Sequence, residues 1–118
     1  MADLRELTQQ YVAAFNAKDI NGISNLLAHD FTLNDPTVRF LGPRHKAIEY
    51  VQKLFTDNPS LSFEMQDIVV EAPFSVLHFR LELQINTYDG IDLIKWDDKK
   101  IQSIHAYLTM HTIEPPKR

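Results

Sequence analysis

One phenol and two carboxyls sit where this sequence is otherwise apolar. Tyr11 falls on the stripe formed by Leu4, Leu7, Ala14 and Phe15. Asp35 opens an Asp35-Pro36 step directly after Phe31-Thr32-Leu33-Asn34, and Asp92 interrupts Ile91-Asp92-Leu93-Ile94. A carboxyl in an apolar strand destabilises the fold unless it is paired, hydrogen-bonded or held neutral by a raised pKa. Groups of these types can divide a proton transfer between them. One carboxylate takes the proton, while a phenol and a neutral carboxylic acid donate hydrogen bonds to the oxyanion that forms.

Each residue also has a plainer reading. A buried tyrosine commonly satisfies its hydroxyl with a backbone carbonyl or a water, and Asp-Pro is a common turn former. For Asp92, whose strand-face neighbours are Ile94 and Trp96, the alternatives are two. It could form a salt bridge to Arg39, Arg44 or Arg80, or be exposed beside Asp89-Gly90.

Other chemistries find less support. The 118 residues contain no cysteine, which excludes disulfides, thiolate catalysis and cysteine-bound zinc. His105 and His111 share a strand face but stand six residues apart, and His29, His45 and His78 fall on separate elements. None has the spacing of a metal motif, so no metal and no cofactor are expected. Ser24, Ser62, Ser75 and Ser103 fall in no nucleophile motif, and three scattered glycines offer no phosphate loop. A net charge of −4 gives no basic patch for nucleic acid or an anionic membrane. The start, Met1-Ala2-Asp3-Leu4-Arg5-Glu6, lacks a long apolar core, and no run approaches the ~20 residues of a membrane span. A single cytoplasmic domain over residues 1–118 is expected.

Two periodicities divide the chain. Three- and four-residue spacing predicts a helix from about Asp3 to Ala17, a shorter one capped by Asp19 through Ile20, Ile23, Leu26 and Leu27, and a third from about His45 to Phe55. Between them lie two short strands, Phe31–Asn34 and Val38–Leu41. From Leu61 onward the period is two. Leu77, Phe79, Leu81, Leu83 and Ile85 share one face, and Ile104, Ala106, Leu108 and Met110 share another, with strands also at Leu61–Val70 and Ile91–Trp96. The last strand is expected to run to Ile113, followed by a loose tail, Glu114 to Arg118. Helices first and consecutive strands afterwards predict an α+β domain, an antiparallel sheet with its apolar face covered by helices.

This order of elements resembles the nuclear transport factor 2-like, or SnoaL-like, superfamily, and within it the ketosteroid isomerases. The segment Gln10-Tyr11-Val12-Ala13-Ala14-Phe15-Asn16-Ala17-Lys18-Asp19 is similar to their first-helix motif, and Tyr11 falls on the oxyanion-hole tyrosine. Continuing through Gly22, Leu27 and Asp30, Asp35-Pro36 falls on the motif that holds the base. Ile91-Asp92-Leu93-Ile94-Lys95-Trp96 resembles the strand supplying the second oxyanion donor, and Asp92 falls on that acid. One position departs. The family commonly carries a supporting tyrosine on the third helix where Gln52 stands here, and nearby Tyr50 is expected to face elsewhere.

The resemblance implies a cone-shaped curved sheet on three helices, a cystatin-like roll. It also implies a steroid isomerase-like activity that moves a double bond in a hydrophobic unsaturated ketone, with Tyr11, Asp35 and Asp92 catalytic. The substrate-binding walls would be Phe15, Val51, Phe79, Leu81, Leu83, Ile104, Ala106 and Leu108, all apolar as a flat steroid-like ketone requires. Relatives often dimerise through the outer sheet face. Here that face carries His78, Arg80, Glu82 and Gln84 with Ser103, His105 and Tyr107, so a homodimer is expected. The alternatives are a polyketide cyclase-like or epoxide-hydrolase-like enzyme, and a non-catalytic module that binds a small ligand or a partner protein.

Overall fold

Asp3 starts the first helix by accepting hydrogen bonds from the backbone N–H groups of Arg5 and Glu6, and α1 then runs Leu4–Asn16. The computed structural model describes residues 3–112, with side chains described through Met110. Ile113, the tail beyond it and the His111 side chain therefore lie outside the described residues. Asp19 caps α2, Ile20–Leu26, by accepting from Gly22 N at 3.0 Å. Leu27, expected in that helix, instead opens strand β1, Leu27–Asp35. Its φ of −93° and ψ of 137° are already extended. Strand β2 is Arg39–Leu41, α3 is Arg44–Asp57, and strands β3 to β6 are Ser62–Glu71, Phe74–Glu82, Asn86–Asp97 and Lys100–Thr112.

The six strands form one open sheet in the order β2-β1-β6-β5-β4-β3. It is antiparallel except where β1 meets β6, which run parallel. The connection explains the exception. The chain crosses by α3 to the far edge, and three antiparallel turns bring β6 back beside β1 in the same direction.

Register shifts between Met65 and Asp67, between Lys95 and Trp96, and between Leu27 and Thr32 bend the strands and so curve the sheet. The first also switches parity. Phe63 points inward before it, whereas Ile68 does so after it, and Met65 is left half-exposed at the edge. Ile85 and Met110, expected inside, are exposed. Strand β4 ends at Glu82, so its alternation does not reach Ile85, and Met110 pairs with Tyr88 far from the tight turn of the β5–β6 pair.

Helix α1 is fastened to the concave face at two points. Near its start, Trp96 Nε1–H donates to Ser75 Oγ (2.9 Å), Ser75 lies 2.8 Å from Thr8 Oγ1, and Thr8 donates to the Leu4 carbonyl (2.6 Å). Thr8 spends its proton on Leu4, so Ser75 donates to Thr8 and accepts from Trp96, and every group in the chain is satisfied. At its other end, Asn16 takes the place of a neighbouring strand for edge residue Phe63. It donates to the Phe63 carbonyl (2.7 Å) and accepts from the Phe63 N–H (2.8 Å). Tyr11 lies between these fastenings. Ser75→Ala leaves the buried Trp96 N–H without an acceptor and is expected to lower the unfolding free energy by about 1–3 kcal/mol. Urea denaturation checks this; an unchanged midpoint would mean that the hydroxyl chain contributes nothing.

Candidate active site

Register places the two carboxyls symmetrically about one small residue. Asp92 on β5 pairs with Ala106 on β6. Asn34 on β1 pairs with His105, so Asp35, one step further along the parallel pair, comes level with Ala106. Asp35 and Asp92 thus flank Ala106 on the concave face, two strand spacings or ~10 Å apart at Cα. A methyl group between them leaves room for a ligand over the sheet. Helix α1 lowers Tyr11 onto the same space, with its ring edge-on to Phe63 at 6.2 Å and tilted against Phe15 at 5.9 Å.

These three residues line one cavity of about 250 Å³. Phe15 from α1 and Val51 from α3 contribute to its wall. So do Phe79 and Leu81 from β4, Leu83 just past that strand, and Ile104, Ala106 and Leu108 from β6. Every residue named from sequence for the site or its wall therefore borders the same space. Sequence reasoning missed Leu33, Thr37, Tyr50, Leu54, Phe63 and Tyr88. Tyr50, expected to face elsewhere, turns into the cavity on the same side of α3 as Leu54, one helical turn later. Gln52 is exposed and does not border it. The spacing of Tyr50, Val51 and Leu54 carried that signal. Tyr88 was hidden because β5 begins at Asn86, well before the predicted start at Ile91.

Asp35 serves the turn and the cavity at once. Its Oδ1 accepts from the backbone N–H groups of Thr37 (2.7 Å) and Val38 (2.8 Å), an Asx turn that joins β1 to β2. With Oδ1 so occupied, Oδ2 is the oxygen available to a ligand. Two of the three arginines that could pair with Asp92 are engaged elsewhere: Arg80 pairs with Asp89 at 3.2 Å, and Arg44 reaches the Leu27 carbonyl. Burial among apolar side chains, reinforced by the charge on Asp35, pushes the Asp92 carboxyl up to about 7. Burial, and then the neighbouring Asp92, drives the Tyr11 phenol far above its ordinary value. Tyr11 is therefore a hydrogen-bond donor at all working pH values. Asp92 holds its proton through the mildly acidic range and into neutrality.

Among the described residues no three His, Asp or Glu side chains come together as metal ligands, and no helix is long and apolar enough to cross a membrane. The arrangement can accept a proton at Asp35 and offer two O–H donors to a nascent oxyanion, within largely apolar walls.

Asp92 makes stability pH-dependent with a definite sign. Its folded pKa lies above the unfolded value of 3.8, so native protein keeps a proton that the unfolded chain releases between about pH 4 and pH 7. Its favourable contribution is complete below that window and is lost as pH rises through it, by roughly 4 kcal/mol at most. Asp92→Asn should remove this slope, gaining on the wild type as pH rises from 4 to 8 in urea unfolding. Parallel profiles would contradict a buried, neutral Asp92.

Comparison with known proteins gives the fold its relatives. An NTF2-like protein of unknown function from Cytophaga hutchinsonii superposes with a TM-score of 0.81 at 16% identity, covering 92% of each chain. A proposed ketosteroid isomerase from Kribbella flavida gives 0.81 at 17% identity, over 97% of this chain and 82% of its own. A proposed SnoaL-like polyketide cyclase from Shewanella denitrificans gives 0.78 at 14% identity, over 89% of each. At such identities the likeness establishes the fold and not the reaction. No curated protein matches the sequence. Residues 8–104 match the SnoaL-like domain, and the chain belongs to that family.

Proposed function

We propose that the cavity isomerises a hydrophobic β,γ-unsaturated ketone to its conjugated α,β isomer. The observation that carries this reading is the convergence of Tyr11, Asp35 and Asp92 on one apolar cavity, with Asp92 biased to its neutral acid. Asp35 Oδ2 removes the proton from the carbon between the carbonyl and the double bond. The C–H electrons form a new C=C bond, and the carbonyl oxygen takes the negative charge of a dienolate. Tyr11 and Asp92 donate hydrogen bonds to that oxygen. Asp35 then returns the same proton to the γ-carbon, which leaves the enone conjugated and the carboxylate restored. Ketosteroid isomerases use a neutral carboxylic acid in this way, so the likeness illustrates the chemistry without testing it here. The steroid skeleton itself comes to this chain from the resemblance alone.

Growth of enone absorbance on a panel of β,γ-unsaturated ketones tests the reading. Asp35→Asn keeps the size and turn-forming oxygen of the carboxyl but cannot accept a proton, so it should remove the roughly 10²- to 10⁴-fold that a positioned base supplies. Asp92→Leu should lose more than Asp92→Asn, whose amide still donates. Tyr11→Phe should raise the barrier by up to about 4 kcal/mol. Wild-type turnover in Asp35→Asn would mean that another residue is the base. Tight ligand binding without turnover in the wild type would make the cavity a binding site, a reading favoured by the exposed Gln52, which leaves Tyr11 without a supporting phenol at that position.

We further propose a homodimer across the outer sheet face. There the rings of His105 and Tyr107 stack at 5.0 Å, beside exposed Ile91 and the Arg80–Asp89 pair. This face mixes apolar surface with both signs of charge and so can meet a second copy of itself. Sedimentation at micromolar concentration should show a dimer; a monomer would contradict the interface.

A further inference from the structure

Proton transfer leaves part of the cavity's chemistry unused. Asp92, Gly90 and Tyr88 alternate along β5 on its concave side, so Tyr88 stands four residues, or ~13 Å of strand, from Asp92. Between them the floor is apolar. A Cβ on Gly90 would lie 2.6 Å from Leu108 Cδ2 and 2.8 Å from Phe79 Cζ, so these two side chains close over the glycine backbone. Tyr50 reaches the cavity from α3. Thr37 borders it from the Asp35 turn. Tyr50 and Tyr88 are only partly buried, unlike Tyr11, which places them toward solvent. Among the described residues neither of their hydroxyls has a hydrogen-bond partner. Burial, then nearby Asp35 and then nearby Tyr88 raise the Tyr50 phenol above its ordinary value, which keeps it a donor.

We propose that the cavity takes a two-ended ligand: a carbonyl held by Tyr11 and Asp92, an apolar middle over Phe79 and Leu108, and a second oxygen function held by Tyr50 and Tyr88. A phenol donates and accepts, so the outer oxygen is a hydroxyl or a carbonyl. The cavity volume of about 250 Å³ is slightly below the ~300–1,000 Å³ typical of drug-sized ligand sites, so the part of the ligand held between the two ends is compact, one or two rings. This inference deepens the isomerase reading and rests on it, since the inner carbonyl is the one that becomes the oxyanion.

Calorimetric titration with two planar probes tests it. The first is 2-naphthol, which has one oxygen for the inner end; the second is 2,6-dihydroxynaphthalene, which adds a hydroxyl at the far end. The second probe should bind the wild type about 5- to 10-fold tighter, beyond the roughly twofold that its symmetry provides. Tyr50→Phe and Tyr88→Phe should each reduce the gain, and the double variant should abolish it. Unchanged 2-naphthol affinity in the double variant shows that the cavity is intact. No gain beyond twofold in the wild type, or a full gain in the double variant, overturns the two-ended ligand. Tyr11→Phe separates the two claims. If 2-naphthol binding weakens in Tyr11→Phe while the second hydroxyl gives no gain, only the two-ended ligand fails. If 2-naphthol binding is indifferent to Tyr11, the isomerase reading fails and takes this inference with it.

Discussion

The hydroxyl chain from Trp96 through Ser75 and Thr8 to the Leu4 carbonyl determines where α1 can lie. An open, curved sheet does not by itself fix how deeply a helix settles into its concave side, because apolar contact is non-directional. Buried hydroxyls are directional, and an unmatched one costs more than a matched one gains. With Thr8 fixed on β4 and β5 and Asn16 fixed on β3, the helix between them can shift neither along its axis nor about it. Tyr11, one turn after Thr8, inherits that placement, and the cavity inherits its inner end.

The same economy shapes the carboxyls. Asp35 uses one oxygen to build the turn between β1 and β2, which leaves the other oxygen free of the turn. Asp92 has no such partner among the described residues and is buried, with Leu77 and Ala106 as its cross-strand neighbours. Its burial works against stability at neutral pH, a cost that hydrophobic packing elsewhere must offset. The two acids sit in unlike environments, one hydrogen-bonded in a turn and the other desolvated, and in the proposed reaction that difference would separate a base from a donor.

Much of this was legible in the sequence because it followed from periodicity. The three helices, the inward residues of β4 and β6 and the apolar setting of Asp92 all show as spacing of three, four or two. What spacing does not carry is register. The shift between Met65 and Asp67 exchanges the inward residues of β3, and nothing in Glu64-Met65-Gln66-Asp67 marks the extra residue. The parallel pairing of β1 with β6 joins the two ends of the chain and has no local signature. Tyr88 was hidden for a related reason. Asn86-Thr87-Tyr88-Asp89-Gly90 is rich in turn formers, yet pairing on both sides, with β4 and β6, holds it as strand. Tyr50 is legible through its four-residue spacing to Leu54, which places both on the cavity side of α3.

In the proposed reaction Asp35 carries one proton from the α-carbon to the γ-carbon of a bound enone precursor inside an apolar cavity. The most direct measurement follows a deuterium label placed at the α-carbon of a β,γ-unsaturated ketone through turnover in ordinary water. A shielded base predicts that most of the label reappears at the γ-carbon of the conjugated product, because the cavity walls keep water from Asp35 while the dienolate is held. Product formed with the label lost entirely to solvent, or formed equally fast by Asp35→Asn, would contradict the account.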